Sequence, residues 1–262
     1  MSGDSSSTPP FDPNDLKYQV SPSHAPDKSS SWDGIPLEAD RWVLAHDSIR
    51  SELTEMGDAL RNISDPLPEW AVSSIRKWWE GHSLHVREHC AKEEEMLMPF
   101  ASERIKWPED VTTSDDHGKI EEWQREVGRL VDGLGKDGED RTTVKALREA
   151  WESYELKLRP HLLEEERVCL PLVRVYFTPE EMSPVGRKMM EAEPDSTMGA
   201  MVHAMGTKEF RSVFMTGQGI PSFVWHMAFK SRHANYENDM AVHVEALKTG
   251  RPPKEGKSGW FF

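Results

Sequence analysis

Apolar positions recur every three or four residues from 37 to 177, and no alternating run bounded by turn dipeptides interrupts them. That period predicts helices and no strands. A first helix over 37–61 carries Val43, His46, Ile49, Leu53, Met56 and Leu60 on one stripe, and Asp65-Pro66-Leu67-Pro68 breaks it. A second helix covers 69–103 and stops before Trp107-Pro108. Residues 112–116 supply capping side chains for a third over 115–131, whose stripe holds His117, Ile120, Glu121, Gln124, Val127 and Val131. The loop 132–138, rich in glycine, leads to a fourth over 142–176. Connections this short favour antiparallel neighbours, so the expected fold is all-α, an up-down-up-down four-helix bundle over 37–177.

The flanks read differently. Residues 1–36 are rich in Ser and Pro with little periodic apolar content, the composition of a disordered tail. They contain no apolar h-region and no Arg, so neither a secretory signal nor a mitochondrial transit peptide is expected. Thr178-Pro179-Glu180-Glu181 combines an N-cap, a proline at the first helical position and a glutamate that reaches back. Residues 178–262 are therefore a C-terminal helical extension, with its last helix from near Pro221 to before Gly250.

The bundle segment repeats itself. His89-Cys90-Ala91-Lys92-Glu93-Glu94-Glu95-Met96-Leu97-Met98-Pro99 and His161-Leu162-Leu163-Glu164-Glu165-Glu166-Arg167-Val168-Cys169-Leu170-Pro171 both read His, Glu four residues on, further Glu, then Pro. His46, Ile49 and Gly57 correspond to His117, Ile120 and Gly128 at the same spacing. One helical hairpin is written twice, and two copies packed about a pseudo-twofold axis would aim four histidine-bearing stripes at one centre.

That arrangement has a chemical consequence. Residues four apart lie on one helix face, so His89 with Glu93, and His161 with Glu165, reach a common pocket. Two carboxylates buried there without a counter-ion would cost several kcal/mol or take up protons. A pair of divalent cations removes the problem. Mixed nitrogen and oxygen ligation with spare positions suits iron or manganese better than zinc. Only one Glu of each run, 93–95 and 164–166, can face the pocket, so most of these carboxylates read as solvated.

Charge and composition narrow the partners. A formal net charge of −14 argues against a nucleic-acid binder and against docking on an anionic membrane, and no apolar run is long enough to span a bilayer. Two cysteines, Cys90 and Cys169, cannot form a disulfide framework, which fits a reducing compartment; the cytoplasm is the expected location.

The set His46, His89-x-x-x-Glu93, His117 and His161-x-x-x-Glu165, with a proline after each Glu run, resembles the hemerythrin-like (HHE cation-binding) domain over residues 37–177. The resemblance implies a non-haem di-iron centre, two ions per chain, held by His46, His89, Glu93, His117, His161 and Glu165. It also implies binding or sensing of oxygen, oxidants or iron, with oxygen, peroxide or nitric oxide as small-molecule partners. Oxygen carriers of this family have a second His four residues after the third-helix one; here that position is Glu121. A harder, more electron-donating ligand would lower the iron potential and favour oxidation over reversible oxygen binding, which makes Glu121 a seventh candidate ligand.

Competing readings remain. A di-iron oxidoreductase acting on peroxide, nitric oxide or oxygen is the first rival, motivated by Glu121 and Cys90. A metal-free helical adaptor is the second. His85-Val86-Arg87-Glu88-His89 matches a zinc-peptidase motif but leaves the second His-Glu-Pro copy without a purpose; His82 and His85 read first as satisfied polar residues, with His85 the alternative as a replacement or additional ligand. Nine of the 13 Met lie in 179–250, where they form a packing core or a groove for a protein partner. In that block His226, Phe229, His233, Tyr236 and Met240 share a stripe that reads first as packing.

Overall fold

The computed structural model describes residues 11–24, 26, 31–108, 113–136 and 141–253. The expected capping position 112, loop positions 137 and 138, residues 1–10, 25 and 27–30 of the expected tail, and 254–262 of the extension lie outside the described residues.

The described chain is helical, and its only β-pairing is an isolated antiparallel bridge between Gln19 and Ile105. The helices are α1 (Arg41–Asn62), α2 (Glu69–Lys92), α3 (Met98–Ser102), α4 (Thr113–Gly133), α5 (Val144–Glu164), α6 (Leu170–Tyr176), α7 (Pro179–Glu191), α8 (Asp195–Met205), α9 (Thr207–Glu209), α10 (Lys230–Tyr236) and α11 (Val242–Thr249). Among the described residues no helix is long and apolar enough to cross a membrane.

The second and fourth expected helices each contain one irregular turn. A π-helical turn, Glu93–Leu97, joins α2 to α3, and another, Glu165–Cys169, joins α5 to α6. In each the amide that closes the turn reaches back five residues, Met98 N–H to the Glu93 carbonyl and Leu170 N–H to the Glu165 carbonyl. Pro99 and Pro171 come next and have no N–H to donate, so the α pattern is interrupted there in any case. Single π turns inside helices are often found where function needs a side chain re-aimed.

Two compact units emerge, the described residues of Met1–His46, Arg87–Ile120 and Lys157–Glu193 forming one and those of Asp47–Val86, Glu121–Leu156 and Pro194–Phe262 the other. In the first, Trp42, Met98, Leu170, Val173, Tyr176 and Phe177 belong to one apolar cluster. Part of the expected tail packs here. Tyr18 is buried, the Val20 N–H donates to the Arg104 carbonyl at 3.0 Å, and the Trp32 indole N–H donates to the Phe177 carbonyl at 2.8 Å. Arg174 donates to the Ile35 carbonyl and the Asp40 carboxylate, both at 2.8 Å, and lies over the Trp32 ring. A few aromatic anchors thus hold a stretch whose average composition is that of a tail. Thr178 and Glu181 form the expected capping box at the start of α7.

In the second unit Trp78 is fully buried and stacks on His82 at 4.8 Å between centroids, with Trp151 against its edge. The Arg148 guanidinium donates to the Leu60 and Ile63 carbonyls and so satisfies the C-terminal end of α1. Met198 and Met201 are buried, and the Met240 side chain lies over Gly81, filling the space a Cβ there would take.

Candidate metal centre

All six residues that the repeat singles out lie in the first unit, each between 0 and 8% exposed. α1 brings His46, α2 brings His89, α4 brings His117 and α5 brings His161. Glu93 and Glu165 are the first residues of the two π turns. The histidines come in two pairs, His46 with His89 at 4.9 Å and His117 with His161 at 5.1 Å between ring centroids, both edge to face.

Nε2 of His46 and of His117 lies near both carboxylates, that of His89 near Glu93 and that of His161 near Glu165. Glu93 Oε1 lies 3.6 Å from His46 Nε2 and 3.2 Å from His89 Nε2, while its Oε2 lies 3.5 Å from His117 Nε2. Glu165 mirrors this, with Oε2 3.4 Å from His46 and Oε1 3.7 Å from His117 and 3.6 Å from His161. Each carboxylate therefore faces both histidine pairs. The atoms His46 Nε2, His117 Nε2, His161 Nε2, Glu93 Oε2 and both Glu165 oxygens are buried and make no hydrogen bond. Such a concentration is abnormal for a protein interior, where nearly every buried polar atom is satisfied.

The other side of the rings is occupied by the neighbouring glutamates. His46 Nδ1–H donates to Glu166 at 2.8 Å and His117 Nδ1–H donates to Glu94 at 2.9 Å. The pairing crosses between copies: the Glu94 of the first repeat serves the histidine of the second, and Glu166 returns the favour. Each bond fixes a proton on Nδ1 and turns Nε2 towards the carboxylates. Trp42 adds a third support by donating its indole N–H to Glu93 Oε1. Sequence reasoning did not single out Trp42, and it left Glu94 and Glu166 as solvated; their equivalent places in the two copies were the available signal.

The electrostatics show what the cluster lacks. Burial, and then the nearby Glu165, push the Glu93 carboxyl up to about 7. Burial works against ionised Glu165 too, but contacts with His117 and His46 outweigh it and hold that carboxyl below its usual range. His46 is raised well above an ordinary imidazole because its contacts with Glu165, Glu166 and Glu93 outweigh burial. His117 is pushed up to about 11, burial being outweighed by Cys90 and Glu165, and burial lowers His161. Protons on two imidazoles stand in for positive charge that the carboxylates demand.

Two overlapping groups could hold a metal ion, His46, His89, Glu93 and Glu165 in one and His117, His161 and Glu165 in the other, each with ligand atoms within 4.8 Å of one another. Cys90 forms a third group with Glu93 and His117, and burial pushes its thiol up to about 11. Glu121 does not join them. It is exposed, while His117, Ile120, Gln124, Val127 and Val131 of the same helix are buried. At 100° per residue Glu121 lies about 90° around α4 from the middle of that buried stripe.

In the second unit, His82 and His85 serve a different carboxylate. Buried Glu52 accepts from His82 Nδ1–H at 2.7 Å, from His85 Nδ1–H at 3.0 Å and from the Tyr236 hydroxyl at 3.2 Å. Burial opposes ionisation, but His85 and His82 outweigh it and hold the Glu52 carboxyl below its usual range. The far nitrogen of His85 meets the Ser48 hydroxyl at 3.4 Å, so both its ring nitrogens have partners away from the zinc-peptidase role. No family model matches the chain, and no curated protein and no solved structure is similar enough to it to count as a match.

Proposed function

We propose that the protein is a non-haem di-iron binding protein of hemerythrin type, built on an up-down-up-down bundle of α1, α2 with α3, α4, and α5 with α6. One observation carries the reading: two buried carboxylates, each facing three imidazole nitrogens and together facing four, with six of the atoms left without hydrogen bonds. Two divalent ions would give all of these atoms partners at once. His46 and His89 would serve one ion, His117 and His161 the other, and Glu93 and Glu165 would lie between them. Glu94 and Glu166 keep the rings of His117 and His46 in the ligating tautomer, and Trp42 orients Glu93. To hold an ion, His46 and His117 would present Nε2 without a proton. Iron in such a site supplies affinity for oxygen and oxidants, and the natural role is binding or sensing oxygen, oxidants or iron. Anaerobic titration with Fe²⁺ should place two ions per chain at this centre, and His89→Ala should lower the iron bound there. Saturation by less than one ion, or an unchanged isotherm in the variant, overturns the reading.

Cys90, grouped with Glu93 and His117, supports a second reading as a di-iron oxidoreductase acting on peroxide, nitric oxide or oxygen. Sustained turnover by the iron-loaded chain, lost in His89→Ala, favours that reading. Stoichiometric uptake without turnover favours the first.

A further inference from the structure

A second cluster, sharing no residue with the first, lies in the other unit. We propose that His203, His233 and Glu237 form a mononuclear site for a first-row divalent cation, with Glu55 fixing the ring of His203. His203 Nδ1 lies 2.6 Å from Glu237 Oε1, and His233 Nε2 lies 3.1 Å from the same oxygen. The three ligand atoms are within 4.8 Å of one another. Two imidazole nitrogens from different helices thus converge on one carboxylate oxygen, a spacing that one divalent cation could occupy. Two imidazoles and a carboxylate are a borderline donor set that suits zinc and its first-row neighbours.

The surroundings are those of a metal-ligating histidine. His203 Nε2–H donates to Glu55 Oε1 at 3.2 Å, on the side of the ring away from the cluster. A carboxylate in that place fixes tautomer and orientation and raises the basicity of the ligating nitrogen. The three side chains are 22–42% exposed, so an ion can enter and solvent can complete its coordination.

The fold builds the site from a close helix contact. A Cβ on Gly199 would meet the Arg232 carbonyl oxygen at 2.5 Å and Tyr236 Cβ at 2.6 Å, so α8 and α10 touch where only glycine fits. His203 is one turn further along α8, and its ring packs against Tyr236 at 5.1 Å. His233 of α10 and Glu237 just past its end are four apart, and Glu237 opens a π turn, Glu237–Ala241. Glu93 and Glu165 open theirs in the same way after His89 and His161. The chain thus uses the device of His, Glu four on, and a π turn a third time, here without a following proline.

Equilibrium dialysis of full-length protein against Zn²⁺ tests this. The double variant His89→Ala with His161→Ala should still bind one equivalent, and adding His233→Ala or Glu237→Gln should abolish it. Glu55→Gln should weaken it about 10–100-fold without removing it. In the otherwise unaltered chain, His233→Ala and Glu237→Gln should each lower the total by one equivalent, a readout that does not need the double variant to fold. Equal zinc stoichiometry with and without His233 and Glu237 overturns the proposal. Failure of the buried centre to take metal leaves these expected differences intact, so the two readings fail separately.

Discussion

Replacing Glu93 with Gln should change stability in opposite directions in the metal-free and metal-loaded protein. The folded chain raises the Glu93 carboxyl from 4.5 to about 7, through burial first and the charge of Glu165 second. A carboxyl that holds its proton more tightly when folded penalises the native state as pH rises above 4.5, and the penalty is complete above about 7. At 1.36 kcal/mol per pH unit it reaches about 3 kcal/mol. Gln carries no such penalty, has nearly the same shape, and keeps an oxygen to accept from Trp42. Metal-free Glu93→Gln at pH 8 should therefore be more stable than the parent by about 3 kcal/mol, or roughly 6–12 °C in Tm. The gap should close as pH falls towards 4.5. With iron bound the order should reverse, because the amide is a poor ligand. Thermal melts of both proteins, with chelator and with Fe²⁺, at pH 8 and pH 5 read all four values. A metal-free variant that melts at or below the parent at pH 8, or a gap independent of pH, refutes the reasoning.

Glu166→Gln and Glu94→Gln should each lower iron affinity about 10–100-fold while Glu121→Gln leaves it unchanged, as Fe²⁺ competition against a chromophoric chelator would show. Glu52→Gln removes the charge that His82, His85 and Tyr236 share and should cost about 3–5 kcal/mol in urea unfolding at pH 7; a loss under about 0.5 kcal/mol contradicts the network. The folded Glu52 carboxyl is depressed, so its contribution is present above pH 4.5 and is lost as pH falls further; the cost of Glu52→Gln should shrink in acid. Gly81→Ala places a Cβ 2.0 Å from Met240 Sδ and should destabilise by about 1–3 kcal/mol, and Met240→Ala in the same chain should recover part of that, measured by thermal melts.

Much of this architecture is legible along the chain because periodicity and helix punctuation are local. The helix breaks at Pro66 and Pro68, the Thr178 cap and the His-x-x-x-Glu-Pro doubling all sit within a few residues of what they control. The placing of His46, His89, Glu93, His117, His161 and Glu165 around a common point follows from the doubling once the helices pack. What escapes is set by partners far apart in sequence. Glu52 reads as one more polar residue of α1 until Tyr236 and the two histidines of α2 meet it. Trp42 is one tryptophan among ten along the chain, and nothing local marks that its indole N–H is spent on Glu93. Glu121 shares a nominal stripe with His117, but Ile120 and Val127 set which side of α4 is buried, and they turn it outwards. The π turns at Glu93 and Glu165 carry a mark that composition hides, a proline just past each Glu run. Residues 1–36 read as a tail on average composition, while the packing of Tyr18 and Trp32 depends on two side chains.

Locating the metal itself tests the central claim most directly. A crystal of the iron-loaded protein, measured on both sides of the iron absorption edge, should give two anomalous peaks per chain at the buried centre. One should lie among His46, His89, Glu93 and Glu165, the other among His117, His161 and Glu165. A well-ordered chain with these six side chains in place and no iron peak between them would contradict the account.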